Sequence, residues 1–483
     1  MIGPTDRILE HFEQINAFPR CSKNEARLCQ WLQRWARDLH LDYQCDPAGN
    51  LVVRVPASTG YNDAPTVVLQ GHLDMVCEKT PDSPHDFNKD PIVSRRQGEW
   101  LTAGGTTLGA DNGIAVAYMM ALAEDSTAAR PPLELLFTVD EETGLNGAKN
   151  LSPDFIHGRL LINLDSEDEG VFTIGCAGGV DTHLELEGHL ETIPKDSAIY
   201  NIVVGGLKGG HSGIDIHKHR GNANKILARA LALIRSQSAM GLLSINGGSR
   251  KNAIPRDAQA VIWIESTRQT QLDQFIKQME ATIRAELLNC EEDFFIKSFP
   301  ATESSAGRQA LSLADTDRAI AVLLALPDAV ARMSANMEGL VETSSNLATL
   351  EMVDNRLCIV SSQRSSSMSR LDEITATIHS IGRLAGAHIQ DKEAYPAWQP
   401  AMDSELLHRC KSAFRKLYDQ DPVIQVIHAG LECAIIGGIY PEMDMISVGP
   451  TLRNAHSPDE RLHIPSITKV WDFLVELLDQ MKS

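Results

Sequence analysis

Basic charge is in short supply: 44 Lys and Arg stand against 64 Asp and Glu, a formal net charge of −20 over 483 residues. That balance excludes nucleic acid and anionic membrane as main partners, because both need a basic face that displaces counterions. No apolar run approaches the roughly 18 residues that span a bilayer. The opening MIGPTDRILEHFEQINAF lacks the basic stretch and apolar core of a secretory signal. Cysteine is sparse and scattered, nine residues with no CxxC pair. This pattern excludes thiolate-held structural zinc and predicts reduced, mostly buried thiols in a cytoplasmic protein. Low-complexity runs and short-period repeats are missing too, which excludes solenoids and long disordered tails. What is present, 43% hydrophobic and 22% charged residues, is ordinary globular composition, and the length calls for at least two domains.

Strand-length apolar runs alternate with helical patterns in the first third of the chain. Residues 5–39 read as largely helical, with Leu28, Leu32, Trp35 and Leu39 at helical spacing. Leu51–Val55, Thr66–Leu69, PLELLFTVD and RLLINLD read as strands, and GADNGIAVAYMMALAEDS as a helix entered through glycine. The alternation predicts an α/β sheet, whose sites form where strands end. From about residue 180 the texture changes. AIYNIVVGGL and DAQAVIWIES read as strands, NANKILARALALIRS and LDQFIKQMEATIRAELL as helices. A similar order then partly recurs: RAIAVLLALPDAVA as helix, ETSSNLATLEMV and RLCIVSSQRSS as strands, EITATIHSIGRLAG as helix. The boundaries drawn are 1–179 and 395–483 for a split catalytic domain, and 180–394 for an inserted domain of two related halves.

Five segments carry acids or histidines where strands end. In GHLDMV, His72 and Asp74 sit at i and i+2, so in extended chain both face one way. Asp111 follows Gly109 at the head of a helix, where an N-cap is the plainer role. Asp140, Glu141 and Glu142 end a buried strand, although such a run is usually a solvated charge cluster. LINLDSED adds Asp165, and RNAHSPDERL adds His456. Singly each is weak. Together the His and carboxylate set, without thiolate, suits Zn²⁺, Mn²⁺ or Co²⁺, and five ligands suit two metals sharing a carboxylate.

The ordered motifs GHLDMV, GADNG, DEETGLNGA, NLDSE, GGHSG, KNAIPR, HAGLE and NAHSPDE resemble the M20 metallopeptidases, in particular the aminoacyl-histidine dipeptidase branch, over essentially the whole chain. The fold implied is α/β: a split two-zinc catalytic domain with an inserted α+β lid and dimerisation domain of two ferredoxin-like halves. The resemblance implies that His72 and Asp165 bind one zinc, Glu142 and His456 the other, and Asp111 both, with a cis Asp111–Asn112 peptide bond. It makes Glu141 the general base, Asp74 the residue orienting His72, and His211 of GGHSG the oxyanion donor, supplied across a homodimer in dimeric relatives. Asn252, Arg364, His428 and Glu432 are the substrate-binding candidates: Asn252 and Arg364 for the C-terminal carboxylate, Glu432 for the amine. The activity implied is cytosolic hydrolysis of dipeptides, Xaa-His and β-alanyl-histidine types included, with two Zn²⁺ per subunit and Mn²⁺ or Co²⁺ as substitutes. Alternatives are another two-metal amidohydrolase, such as a deacylase or carboxypeptidase, and a non-catalytic binding module.

Overall fold

The computed structural model of the chain describes residues 3–287, 290–301, 307–335 and 337–482. They form two compact units. The first comprises Met1–Cys176, Trp398–Val426 and Leu431–Ser483; the second comprises Ala177–Ala397 and Ile427–Gly430. The short excursion Ile427–Gly430 divides the HAGLE motif, sending His428 to the second unit and Glu432 to the first. No described helix is long and apolar enough to cross a membrane.

The first unit is built on an eight-stranded sheet: β1 (Asp42–Cys45), β2 (Leu51–Val55), β3 (Val67–His72), β4 (Leu133–Thr138), β5 (Leu160–Asn163), β6 (Val171–Cys176), β7 (Val423–Ile427) and β8 (Asp444–Ser447). The order across the sheet is β1-β2-β4-β3-β5-β8-β6-β7. β4, β3, β5 and β8 run parallel, and β1 and β2 are antiparallel additions. β3 and β4 are buried along their whole length, which is why both read as near-continuous apolar runs. The exception, Glu134 in β4, is 3% exposed and accepts hydrogen bonds from the His157 and Gly158 backbone N–H at 2.7 and 2.9 Å. Helix Ala110–Glu124 packs on β3, and helix Pro4–Asn16 packs on that helix.

In the second unit, Ser197–Gly205, helix Ala223–Gln237, Met240–Gly247, Ala258–Glu265, helix Gln269–Leu287 and Phe295–Pro300 form one βαββαβ half. Gly178–Glu187, helix Leu313–Ala325, Val341–Val353, Arg356–Ser365, helix Met368–Leu384 and His388–Tyr395 form the other. The halves are not in tandem as the sequence reading has them: one is nested inside the other, after its first strand. Their sheets join where Asn246 and Gly247 pair with Glu351 and Leu350. A second correction concerns RAIAVLLALPDAVA, which stays helical only to Ala325. Pro327 cannot continue the helix, and Ala329–Met333 is a strand.

The thiol expectation also needs correcting. Cys21 and Cys77 form a disulfide with Cα atoms 5.7 Å apart, 56 residues apart in sequence. Cys21 reaches that position through a parallel bridge to Met75, a contact no local spacing rule reveals. Cys29, Cys176, Cys410 and Cys433 are buried free thiols as expected, whereas Cys45 is exposed. Denatured without reductant, the chain should titrate seven thiols, and nine after reduction. Replacing Cys21 and Cys77 together by Ser should lower stability by about 2–4 kcal/mol in chemical denaturation. Nine thiols before reduction would remove the bond from the native protein.

Candidate metal centre

Three parallel neighbours, β4, β3 and β5, end side by side, and their C-terminal ends deliver most of the expected residues. His72 is the last residue of β3, Glu141 and Glu142 lie just past β4, and Asp165 lies two residues past β5. Asp111 comes from the head of the helix on β3, where its backbone is non-helical and the Asp111–Asn112 peptide is cis. Asn112 locks that segment down. Its Oδ1 accepts from His72 N–H at 3.1 Å and its Nδ2 donates to Leu164 O at 3.0 Å. His456 arrives from a loop, in a left-handed conformation with φ +62°.

The ring of His72 is aimed by its own strand end. Nδ1 lies 3.1 Å from Asp74 O and 3.4 Å from Asp74 Oδ1, leaving Nε2 to face Asp111 Oδ1 at 3.1 Å and Asp165 Oδ1 at 3.5 Å. Asp74, fully buried, also accepts from Ser22 Oγ at 2.8 Å and from Glu141 N and Glu142 N at 3.0 and 3.2 Å. One carboxylate thus fixes both the imidazole and the backbone of the acidic pair. Burial alone would raise its pKa, but the hydrogen bond and charge of His72, with these donors, hold it at about 2. Opposite, His456 Nε2 stands 3.0 Å from Asp111 Oδ2 and 3.0 Å from Glu142 Oε2.

The site is dominated by negative charge. Burial, reinforced by Asp111 and Glu142, pushes Asp165 up to about 6 despite His72. Burial pushes Glu141 well above the usual carboxylate range, with His72 opposing and Asp165, Glu142 and Glu432 adding to the rise. Hydrogen bonds to Asp111 and Glu142 raise His456 to about 11. Asp111, though buried, is held low by the two imidazoles. The carboxylates favour positive charge at this point, which a bound cation would supply with both rings neutral.

Among the described residues, three groups of side chains have donor atoms within 4.8 Å of one another: His72, Asp111 and Asp165; Asp111, Glu142 and His456; and His72, Glu141 and Glu142. Asp111 belongs to two of them. Glu142 Oε1 is buried without a hydrogen-bond partner, as suits an oxygen that would ligate a cation. The mixed nitrogen and oxygen donor set fits borderline divalent cations.

The remaining expected residues divide between the units. Glu432 is fully buried in the first unit, where Oε2 accepts from Gln70 Nε2 at 2.6 Å and Thr138 Oγ1 at 2.7 Å, while Oε1 lacks a partner. In the second unit a two-residue ladder, Gly210 with Ile254 and His211 with Ala253, brings the GGHSG and KNAIPR motifs together. Asn252 is exposed and its carbonyl accepts from Ser212 N at 2.9 Å. Gly213 N and Ile214 N both donate to His211 Nδ1 at 3.1 Å, so the neutral ring carries its proton on Nε2. Burial and the charge of Arg364, against Asp215, lower that ring to about 4. His428 Nε2 meets Ser344 Oγ at 2.7 Å, and Arg364 Nη1 donates to Tyr395 OH at 2.8 Å. His428 Nδ1 and Arg364 Nε are buried and unpartnered. Sequence reasoning did not single out Ser22, Gln70 or Thr138, whose side chains carry no local signature. It also passed over Arg20 and Glu460.

Residues 68–480 match the family model for peptidase family M20/M25/M40. The cytosol non-specific dipeptidase of Escherichia coli K12 is 40% identical over 471 residues, covering 97% of this chain and 96% of that protein. The crystal structure of aminoacylhistidine dipeptidase from Vibrio alginolyticus superposes with a TM-score of 0.89 at 39% identity, covering 98% and 96% of the two chains. Aminopeptidase PepT of Bacillus cereus shares the fold at a TM-score of 0.56 and 16% identity, with full coverage of both chains.

The geometry separates two aspartates. Asp111→Asn should lower bound metal more than Asp74→Asn, since Asp111 lies between both imidazoles while Asp74 touches one from behind. Loss of such an outer carboxylate costs about 10–100-fold in affinity. Elemental analysis after dialysis checks this; equal losses would remove Asp111 from its shared position.

Proposed function

The chain belongs to peptidase family M20/M25/M40 and is a peptide-bond hydrolase, and from that premise we propose that it is a cytoplasmic, dinuclear zinc dipeptidase acting on Xaa-His dipeptides, β-alanyl-histidine included. The observation that carries this reading is the placement of Asp111, with one oxygen 3.1 Å from His72 Nε2 and the other 3.0 Å from His456 Nε2. In it, His72 and Asp165 would hold one zinc and Glu142 and His456 the other, with Asp111 common to both sets; Mn²⁺ or Co²⁺ could take zinc's place. Cations bound there would polarise a carbonyl and acidify water near neutral pH.

The chain's own groups supply the rest. Glu141 takes the proton of the attacking water on its carboxylate and returns it to the leaving amine. Burial among like charges raises its basicity, which suits that task. Asp74 keeps Glu141 in place through the backbone N–H and keeps His72 in one tautomer. His211 donates from Nε2 to the developing oxyanion, a role supported by its neutral ring and occupied Nδ1. Arg364 and Asn252 receive the substrate carboxylate, His428 lines the pocket, and Glu432, whose Oε1 has no hydrogen-bond partner, meets the amine. The second unit takes the lid and dimerisation role in a homodimer, with neither membrane nor nucleic acid as partner.

Hydrolysis rates over a panel of Xaa-His dipeptides, other dipeptides and N-acyl amino acids, with zinc, manganese and cobalt, test the reading. Preference for the N-acyl compounds would replace it with a deacylase. Glu141→Gln should retain both metals and lose about 10²–10⁴ in turnover; metal lost in step with activity would make Glu141 a ligand. His211→Ala should keep metal content and lower kcat by about two to three powers of ten. An unchanged kcat would leave GGHSG as a glycine-rich turn.

A further inference from the structure

The segment carrying Asp111 is held by a side chain that neither catalysis nor ligation uses. Helix starts leave backbone N–H groups without intrahelical partners. Here four consecutive N–H groups, running from the preceding loop into the helix start, turn to a single carboxylate. Glu460 Oε2 accepts from Leu108 N at 2.7 Å and Gly109 N at 2.9 Å, and Oε1 from Ala110 N at 2.8 Å and Asp111 N at 3.2 Å. Glu460 is 2% exposed and lies four residues past His456, in the NAHSPDE motif. Its grip therefore ties the backbone of Asp111 to the loop that carries the histidine on the far side of that carboxylate.

Arg20 closes the arrangement from behind. It is 1% exposed, donates from Nη1 to Leu73 O and Asp74 O at 3.1 Å each, and donates from Nη2 to Gly109 O. The three segments bearing His72, Asp111 and His456 are thus linked by two buried, oppositely charged side chains. A Cβ on Gly109 or Gly113 would press on the Arg20 guanidinium at 2.5 or 2.6 Å, so the glycines of GADNG leave room for it.

We propose that Glu460 is a positioning residue that sets Asp111 midway between His72 and His456 and so lets one carboxylate serve two cations. This rests on the reading of Asp111 as a shared ligand. A purely structural role would require the four hydrogen bonds only for folding. The positioning role makes occupancy and coupling of the second cation depend on them.

Glu460→Gln tests the difference. The amide nitrogen would oppose two backbone donors while the side-chain volume stays the same. Purified apo protein is titrated with Co²⁺ and followed by calorimetry and by the magnetic coupling between the two ions. Wild type should bind two equivalents that couple. In the variant the first equivalent should bind near normally, while the second weakens about 10–100-fold and coupling is lost, with the far-ultraviolet circular dichroism and melting cooperativity of wild type. Glu460→Asp, a methylene shorter, should show a smaller loss of the same kind. Two coupled equivalents at wild-type affinity in a folded Glu460→Gln protein would overturn the proposal. Failure of both variants to fold would overturn it as well, by making Glu460 a folding determinant. A wild type that binds one ion, or two without coupling, would instead overturn the shared-ligand reading itself.

Discussion

Repulsion among carboxylates brought to one sheet edge is the constraint on which the first unit turns. Asp111, Glu141, Glu142 and Asp165 meet in a half-buried space, where His72 and His456 are in direct contact with them. Such a gathering costs stability unless charge is compensated, because desolvation and like-charge proximity act in the same direction. The shifts follow from this: Asp165 and Glu141 rise, and His456 climbs to about 11. The surrounding architecture holds this unfavourable set at fixed spacing. The carboxylates of Asp74 and Glu460 contribute by accepting the backbone N–H groups of Glu141, Glu142 and residues 108–111, which restricts the loops that bear these acids.

The second unit solves a different electrostatic problem. His211, His428 and Arg364 lie within one another's influence, and burial with the guanidinium charge keeps both rings neutral, at about 4 and about 3. A neutral imidazole whose Nδ1 is already engaged can only donate from Nε2. Hydrogen bonds from Gly213 and Ile214 therefore decide the tautomer, and the pull of Asp215 toward the charged form is outweighed. Hence glycine at 213: a Cβ there would meet His428 O, and the loop could not keep this course.

Much of this was legible in sequence where burial is uniform. LELLFT and TVVLQ read as strands because both faces are covered, and the acids at their ends stood out against apolar runs. Gly178–Glu187 and Met240–Gly247 were missed: the first carries Asp181, Thr182 and His183 among apolar residues, and the second carries Ser244, Asn246 and two glycines, so neither shows a clean period. Nesting of one βαββαβ half within the other cannot be read from element order, since strand order depends on pairing across the sheet. The Cys21–Cys77 bond escaped for the same reason. At the centre, residues that define chemistry by type, His72 or Asp111, were legible through motif order. Glu460 was printed in its motif yet silent, because its function is to receive backbone donors, and those carry no sequence letter.

The discontinuity of the first unit has a consequence during synthesis. Four of the acidic residues of the centre leave the ribosome before the second unit is made, whereas His456 and Glu460 follow only after residue 397. At about 5–20 residues per second, the interval between Asp165 and His456 is on the order of 15–60 s. Throughout it the nascent chain carries these acids without the second imidazole and without the Glu460 carboxylate that receives the N–H groups of residues 108–111. The acids of the sheet edge are therefore left without the compensating ring of His456 until translation is nearly complete.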